Sequence, residues 1–239
     1  MITKFDKILN DEQLQILLDM AMDIPKDREK DEDERKQKNT VFDADTWPGS
    51  FGVNEMDRAF IKETLWKAHH NVSEPTVTKV TCGEFNPIFN SVARYDEGDF
   101  YDWHLDLLTT GYGSRVDIAF TAFLNDPSEY EGGELEIKHD YGVSSFKESA
   151  GTIVFYPTAC LHRVAPITSG SRFVSLGLIS CLVSSPQDRY ILSEMIDCIS
   201  KLNDVSEVSP DPFIVKRIDD VNHRLHAVQM KLFREYSNR

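Results

Sequence analysis

Short segments rich in β-branched and aromatic residues follow one another between residues 76 and 183, and they restrict the possible folds more than any other feature. Turn signals separate them, among them Asp96-Glu97-Gly98 and Asn125-Asp126-Pro127. Neither an alternation of strands with helices nor a glycine-rich nucleotide-binding loop interrupts the series. Many short strands at this spacing predict a jelly-roll or barrel. The predicted strands are 76–82, 88–95, 100–107, 116–124, 133–138, 151–156 and 172–183.

Helical patterns lie on both sides of the strand region. Before it, apolar residues at helical spacing predict helices at 10–24 and 54–70, the first capped by Asn10 or Asp11. After it, two more helices are predicted, separated by Pro210-Asp211-Pro212. The last helix carries an apolar stripe that suits either packing against the strand region or a seam between two copies of the chain. The stripe consists of Ile218, Val221, Leu225, Val228 and Leu232.

The expected fold class is therefore mainly β with flanking helices, an α+β chain with a jelly-roll core. Three parts are predicted. Residues 1–75 form a helical and loop region that packs on the core, residues 76–184 form the core, and residues 185–239 form C-terminal helices. The run 26–38 consists almost wholly of charged residues and is interpreted as a solvated loop.

The chain of 239 residues is acidic, with 26 Lys and Arg against 40 Asp and Glu and a formal net charge of −14. This charge argues against nucleic acids and anionic membranes as partners. No apolar stretch reaches the roughly 18 residues that a membrane span needs, and the N-terminus has no apolar leader segment. The four cysteines lack Cys-x-x-Cys spacing and are interpreted as reduced thiols, so a cytoplasmic location is expected.

His104-Leu105-Asp106 is the strongest indication of chemistry in the chain. Residues two apart on a strand point to the same face, so His104 and Asp106 project together if this segment is extended. A lone His-x-Asp pair is weak evidence, because a surface strand explains it equally well. One more imidazole would complete a set of two histidines and one carboxylate. Such a set leaves open positions on Fe(II), as oxygen-activating non-haem iron enzymes require.

His162 and Arg172 supply the missing context downstream. His162 follows the strand-like segment 151–156 and is the natural third ligand. Arg172 opens the next apolar segment, where a guanidinium could bind a dicarboxylate through two parallel hydrogen bonds. His104, Asp106, His162 and Arg172 are therefore interpreted together as one functional constellation.

Residues 92–202 resemble the Fe(II)/2-oxoglutarate-dependent dioxygenases of the prolyl 4-hydroxylase-like superfamily, and within it the bacterial and phage PKHD-type hydroxylases. Several stretches carry the resemblance, and their order is more specific than any one of them. They are Arg94-Tyr95-Asp96-Glu97-Gly98-Asp99-Phe100-Tyr101-Asp102-Trp103-His104-Leu105-Asp106, then 115–127, Tyr130-Glu131-Gly132-Gly133-Glu134-Leu135, 150–157 and 161–172. Residues 1–75 carry no usable resemblance.

The resemblance implies a double-stranded β-helix fold with iron ligands at His104, Asp106 and His162. It places the 2-oxoglutarate-binding arginine at Arg172. Tyr95 and Tyr101 match aromatic positions that line the cosubstrate pocket, although for Tyr101 a purely apolar wall explains the residue equally well. The implied cofactors are Fe(II), 2-oxoglutarate as cosubstrate, O2 and ascorbate. The implied reaction hydroxylates an aliphatic C–H while 2-oxoglutarate becomes succinate and CO2.

The chain departs from the family pattern at two positions. Prolyl hydroxylases often place a second hydroxyl near the cosubstrate carboxylate, at a position that here is Phe123. Thr121, on the same strand face, is the candidate substitute. Relatives also carry a tryptophan on the strand after the arginine, where this chain has Leu178.

Three functions remain compatible with the sequence. The first is a 2-oxoglutarate-dependent hydroxylase, with a prolyl or other side chain of a peptide or protein as the family-level substrate. The second is a non-catalytic jelly-roll that binds a metal or ligand. The third is an oxygenase with another cosubstrate, against which Arg172 argues because an arginine at the inner end of a pocket favours a carboxylate. Both a monomer and a homodimer are compatible with the sequence.

Overall fold

The computed structural model describes residues 2–24, 37–38, 40–43, 87–106, 108–109, 113 and 115–236. Several predicted features lie outside these residues. They are the charged run up to residue 36, the helix at 54–70, the strand at 76–82 and Cys82.

Strands dominate the middle of the chain, and helices lie near its two ends. The helices are α1 (Asp11–Met22), α2 (Pro186–Val208) and α3 (Pro212–Tyr236). The strands are β1 (Thr3–Phe5), β2 (Gln37–Lys38), β3 (Thr40–Asp43), β4 (Pro87–Asp96), β5 (Phe100–His104), β6 (Ile118–Phe123), β7 (Tyr130–Gly132), β8 (Leu135–His139), β9 (Gly142–Phe146), β10 (Ile153–Pro157), β11 (His162–Val164) and β12 (Ile167–Ile179). A 3-10 turn at Pro127–Glu129 precedes β7.

The helix predicted at 10–24 is confirmed as α1. Asn10 caps it by accepting a hydrogen bond from the Gln13 backbone, while the Gln13 side chain accepts one from the Asn10 backbone. This reciprocal capping satisfies two backbone donors that the first helical turn would otherwise leave unpaired. Leu17 and Ala21 are fully buried, which fixes the apolar face of the helix.

The larger sheet has seven strands in the order β1-β10-β6-β12-β4-β3, and β7 pairs with β12 outside this path. All its pairings are antiparallel. The central strand β12 has 13 residues and is bonded to both β4 and β6. Its side chains alternate between two faces, and Val174, Leu176 and Leu178 pack in one apolar cluster with residues of β4, β6 and β10. Arg172 belongs to the same alternating set and so lies on the same face.

The smaller sheet has five strands in the order β2-β5-β11-β8-β9. The sequence did not predict three of them, β2, β9 and β11. β11 has only three residues, and β9 is a serine-rich edge segment, so neither has an apolar pattern long enough to predict. Residues 37 and 38, predicted as loop, pair with β5. β12 corresponds to the predicted strand 172–183, but it begins and ends earlier, at Ile167 and Ile179.

Helices α2 and α3 belong to a compact unit of their own. Val183 and Leu192 pack there with Leu232, Phe233 and Tyr236. Of the apolar stripe on α3, Val221 and Val228 are exposed, whereas Ile218, Leu225 and Leu232 are half-buried. None of the helices described here combines the length and apolarity that crossing a membrane requires. None of Cys160, Cys181 and Cys198 forms a disulfide. The predicted boundaries at 75 and 184 stay predictions.

Candidate active site

The structure brings His104, Asp106 and His162 together at one end of the smaller sheet. His104 ends β5 and His162 begins β11, and the antiparallel register sets the two residues directly opposite each other. Asp106 follows β5 by two residues. One ligand atom from each of the three side chains lies within 4.8 Å of the others. Among the residues that the structure describes, this is the one group of three or more His, Cys, Asp or Glu side chains arranged to hold a metal ion.

The carboxylate of Asp106 lies between the two imidazoles. Its Oδ2 is 3.6 Å from Nε2 of His162, and its Oδ1 is 4.0 Å from Nε2 of His104. The two imidazole ring centroids are 4.2 Å apart. The His162 side chain is only 4% exposed, whereas those of His104 and Asp106 are each 20% exposed. One side of the group is therefore accessible, as a metal that must accept further ligands requires.

Backbone carbonyl groups fix the orientation of both imidazoles. Nδ1 of His104 lies 2.7 Å from the carbonyl oxygen of Asp102, and Nδ1 of His162 lies 3.0 Å from that of Cys160. A carbonyl oxygen can only accept, so each Nδ1 must donate its proton to it. This leaves each Nε2 unprotonated and aimed at the shared centre, which is the tautomer that binds a metal.

Burial changes the ionisation of all three residues. Desolvation lowers the pKa of His104, with the neighbouring His162 as the next cause, and desolvation also lowers the pKa of His162. It raises the pKa of Asp106 to about 6, against the opposing effect of His104. Neutral imidazoles are the metal-binding form. Oδ2 of Asp106 is buried and has no hydrogen-bond partner within the described part of the chain. A divalent cation would satisfy this oxygen, so the donor set fits Fe(II).

Tyr101 covers one side of the group. Its ring stacks on the His104 imidazole, with centroids 3.7 Å apart and an interplanar angle of 14°. Burial raises the pKa of the Tyr101 phenol, and the Asp106 carboxylate adds to this effect. The ring therefore acts as a neutral wall that holds His104 in position.

Arg172 lies deep in the larger sheet. Only 1% of the residue is exposed, and its guanidinium lies over the rings of Tyr95 and Phe123, at 5.2 and 5.4 Å from their centroids. Its Nε and Nη2 atoms have no hydrogen-bond partner among the described residues. A buried guanidinium with unpaired donors is costly unless an anion completes it. This end of the interior therefore fits a carboxylate, which a guanidinium can bind through two parallel hydrogen bonds.

The backbone on either side of Arg172 is held by Asn125, which the sequence indicated only as a turn residue. Its Nδ2 donates to the carbonyl oxygen of Ser171, and its Oδ1 accepts from the backbone N–H of Phe173, both at 2.9 Å. The antiparallel register of β12 with β4 places Tyr95 opposite Arg172. The position of Arg172 is thus fixed from both sides before any ligand binds.

Tyr156 connects the two ends of the site, and sequence analysis did not identify it. Its ring lies 4.8 Å from that of His162, and its side chain hydrogen-bonds to Thr121. Burial raises its pKa well above the ordinary value, and the charge of Asp106 adds to the rise while that of Arg172 opposes it. Its hydroxyl is therefore close enough to Asp106 and Arg172 for both charges to affect its ionisation. The only signal in the sequence was the position of Tyr156 in the segment before His162.

Comparisons with known proteins agree with this geometry. A model of the 2OG-Fe(II) oxygenase superfamily matches residues 90–179. A PKHD-type hydroxylase of Paraburkholderia phytofirmans is 38% identical over 123 residues, which cover 50% of this chain and 53% of that protein. One from Acidovorax ebreus is 36% identical over 146 residues, covering 59% and 62%. The chain thus spans about half to three-fifths of the length of these relatives.

Two solved structures share the fold at low sequence identity. A prolyl-4-hydroxylase of Pseudomonas putida aligns with a TM-score of 0.52 and 17% identity, covering 75% of this chain and 92% of that one. A viral collagen prolyl hydroxylase from Paramecium Bursaria Chlorella virus-1 aligns at 0.51 and 19%, covering 74% and 94%. The predicted fold, a double-stranded β-helix core with flanking helices, is confirmed. The predicted resemblance is confirmed as well, since residues 90–179 match the model of the 2OG-Fe(II) oxygenase superfamily.

Proposed function

We propose that the chain is an Fe(II)- and 2-oxoglutarate-dependent dioxygenase that hydroxylates an aliphatic C–H. One observation carries this proposal. A group of two histidines and one carboxylate lies in the same interior as the buried Arg172, whose Nε and Nη2 have no hydrogen-bond partner among the described residues, and the charges of Asp106 and Arg172 both act on Tyr156. A non-catalytic metal-binding protein has no need of the unpaired guanidinium, because its burial costs stability without compensation.

Each residue has a defined task in the proposed reaction. His104, Asp106 and His162 hold the iron through Nε2, a carboxylate oxygen and Nε2. Arg172 binds the distal carboxylate of 2-oxoglutarate, with Tyr95 as a wall on one side of the guanidinium. Iron, O2 and 2-oxoglutarate supply the oxidising power when bound, and 2-oxoglutarate leaves as succinate and CO2. The chain contributes ligation, orientation and the exclusion of water.

The proposed substrate is a prolyl or other side chain of a peptide or protein. Two structures that share the fold are named prolyl hydroxylases, which supports this choice. Ascorbate is proposed as a further requirement, and the cytoplasm as the location. No nucleic acid or membrane partner is proposed, because a net charge of −14 disfavours binding to phosphate-rich surfaces. The chain is expected to act as a monomer or homodimer.

Release of succinate from 2-oxoglutarate tests the proposed function. The full chain is loaded anaerobically with Fe(II), exposed to O2 and assayed for succinate, alongside the variant His162→Ala. Wild-type release that the variant lacks supports the dioxygenase. Tight metal binding without succinate release in the presence of host-cell peptides favours the non-catalytic reading instead. Mass spectrometry of those peptides, for gains of one oxygen atom that depend on His162, then identifies the substrate.

A further inference from the structure

We propose that the Tyr130 hydroxyl is the second donor to the distal carboxylate of 2-oxoglutarate, acting beside Arg172. This inference rests on the proposed function and deepens it. Phe123, at the position where prolyl hydroxylases often carry this hydroxyl, has none. We assign the role to Tyr130 on β7 instead of to Thr121 on β6.

Strand pairing brings Tyr130 to the arginine. β7 lies antiparallel to the start of β12, with Tyr130 opposite Gly170, two residues before Arg172. Tyr130 is 3% exposed, and its side chain lies within the electrostatic and hydrogen-bonding influence of Arg172. Yet its hydroxyl makes no hydrogen bond of good geometry to any residue that the structure describes.

The two groups cannot fully satisfy each other. A guanidinium has only donors, so it offers no acceptor for the hydroxyl proton of Tyr130. Nε and Nη2 of Arg172 are also unpaired within the described residues. Buried donors that converge without an acceptor are costly, and together they require an anion with at least two acceptor oxygens. A carboxylate meets that requirement.

The other candidate hydroxyl is placed differently. Thr121 hydrogen-bonds to Tyr156, so it already has a partner in the interior. On the same strand, Phe123 faces the guanidinium with a ring that carries no hydroxyl. Tyr95 presents the face of its ring to Arg172. The predicted role of Thr121 stays a prediction, and the geometry points to Tyr130 as the stronger candidate.

The surroundings hold the Tyr130 side chain in this position. Nζ of Lys147 donates to the Tyr130 carbonyl oxygen at 2.7 Å and lies 4.5 Å from the centroid of its ring. Gly133 leaves the necessary space, since a Cβ there would lie 3.2 Å from Cε2 of Tyr130 and 3.0 Å from Cδ of Arg172. Burial raises the pKa of the phenol, with Arg172 opposing, so the group remains a neutral donor. The donor pair is therefore preorganised.

Calorimetric titration of the full chain tests this assignment without turnover. The protein is loaded with Mn(II), which accepts the same kinds of ligand, and kept under anaerobic conditions. Two ligands are compared. One is 2-oxoglutarate, and the other is 2-oxopentanoate, which has a methyl group in place of the distal carboxylate. Tyr130→Phe removes the hydroxyl and keeps the ring over Lys147. Tyr141→Phe is the matched control, because Tyr141 is 96% exposed.

Tyr130→Phe should weaken binding of 2-oxoglutarate roughly 10- to 100-fold, the effect of losing a hydrogen bond to a charged group. Its affinity for 2-oxopentanoate should change little, and Tyr141→Phe should match the wild type with both ligands. Thr121→Val should have a smaller effect than Tyr130→Phe.

The possible failures can be told apart. If the wild type binds 2-oxoglutarate and Tyr130→Phe binds it equally well, Tyr130 is not a donor and the proposed function stands. A loss that is equal for both ligands also overturns the assignment, because the effect is then structural. If the wild type binds 2-oxoglutarate no better than 2-oxopentanoate, the carboxylate site itself is wrong, and the proposed function fails with it.

Discussion

The two ends of the candidate site are built in different ways. The metal end is formed by His104, Asp106 and His162, and local contacts position it, because each imidazole donates to the carbonyl oxygen two residues before it. The carboxylate end is formed by Arg172 and Tyr130, and contacts between distant parts of the chain position it. The metal end is partly accessible, whereas the carboxylate end is almost fully buried.

This difference separates two ways of preparing a site for a ligand. At the metal end, orientation comes from short-range hydrogen bonds, so the ligands are aimed correctly even before the ion binds. At the carboxylate end, orientation comes from packing and from a glycine that leaves room for two large side chains. Changes at the metal end should therefore affect metal binding, and changes at the carboxylate end should affect cosubstrate binding with little effect on metal binding.

Loss of a metal ligand should have the largest effect. His104→Ala and His162→Ala should each lower 2-oxoglutarate turnover by more than about 100-fold, because changing even a supporting residue of a metal site commonly costs 10- to 100-fold. Double variants should lose little more, since the ligands act as a unit. His139→Ala is the matched control, as that imidazole bonds to Ser144 in the β8–β9 hairpin. Turnover near the wild-type level in His162→Ala would show that the assigned ligands are wrong.

Substitution of Arg172 should have the next largest effect on activity. Arg172→Ala should raise the KM for 2-oxoglutarate roughly 30-fold or more, since truncating one member of a buried charge pair costs about 2–5 kcal/mol. Arg172→Lys should give a smaller but clear rise, because an ammonium lacks the planar fork. Fe(II) affinity should change little in both. Arg163→Lys provides the control, as Arg163 pairs with Glu136 outside the site. An unchanged KM in Arg172→Ala would remove Arg172 from the pocket.

Gly133→Ala tests whether packing prepares the carboxylate end. Gly133 has φ +70°, and an added Cβ would overlap the Ile167 side chain and approach Arg172. Strain and overpacking together should lower the free energy of unfolding by about 2–4 kcal/mol, measured by urea denaturation. Gly142→Ala also carries a positive φ, but its Cβ would meet no heavy atom within 4 Å. It should therefore cost only about 1 kcal/mol. Equal losses in the two variants would mean that space around Arg172 is not limiting.

Asp106→Asn should have a smaller effect on stability than Gly133→Ala, and in the opposite direction. Burial raises the pKa of Asp106 to about 6, so the charged form destabilises the metal-free folded state at neutral pH. The amide should raise the free energy of unfolding of the metal-free protein by about 1–2 kcal/mol at pH 7.5. The difference should shrink as the pH falls through 6, because the wild-type carboxyl then becomes neutral. Excess metal should stabilise the wild type alone. A variant less stable than the metal-free wild type at pH 7.5 would contradict this account.

Local sequence patterns determined many of the secondary-structure elements and the residues of the metal end. The β-branched and aromatic residues of β4, β6 and β12 predicted strands, and helical spacing with a capping residue predicted α1. The sequence also supplied the residue types of the metal end, since His104 and Asp106 are only two residues apart in the chain. These features depend on neighbours within a few residues, which a sequence displays directly.

Tertiary structure alone decided how distant strands align. β11 is too short to show a pattern, yet its register sets His162 opposite His104. The pairing of β7 with β12 brings Tyr130 to Arg172, and Asn125 joins the backbone on either side of that arginine. Tyr156 lies near both ends of the site only because β10 pairs with β6 in the larger sheet and the Tyr156 side chain packs in the core cluster. Register between distant strands is set by which side chains share one buried face. That choice depends on the packing of the whole core and not on any local pattern.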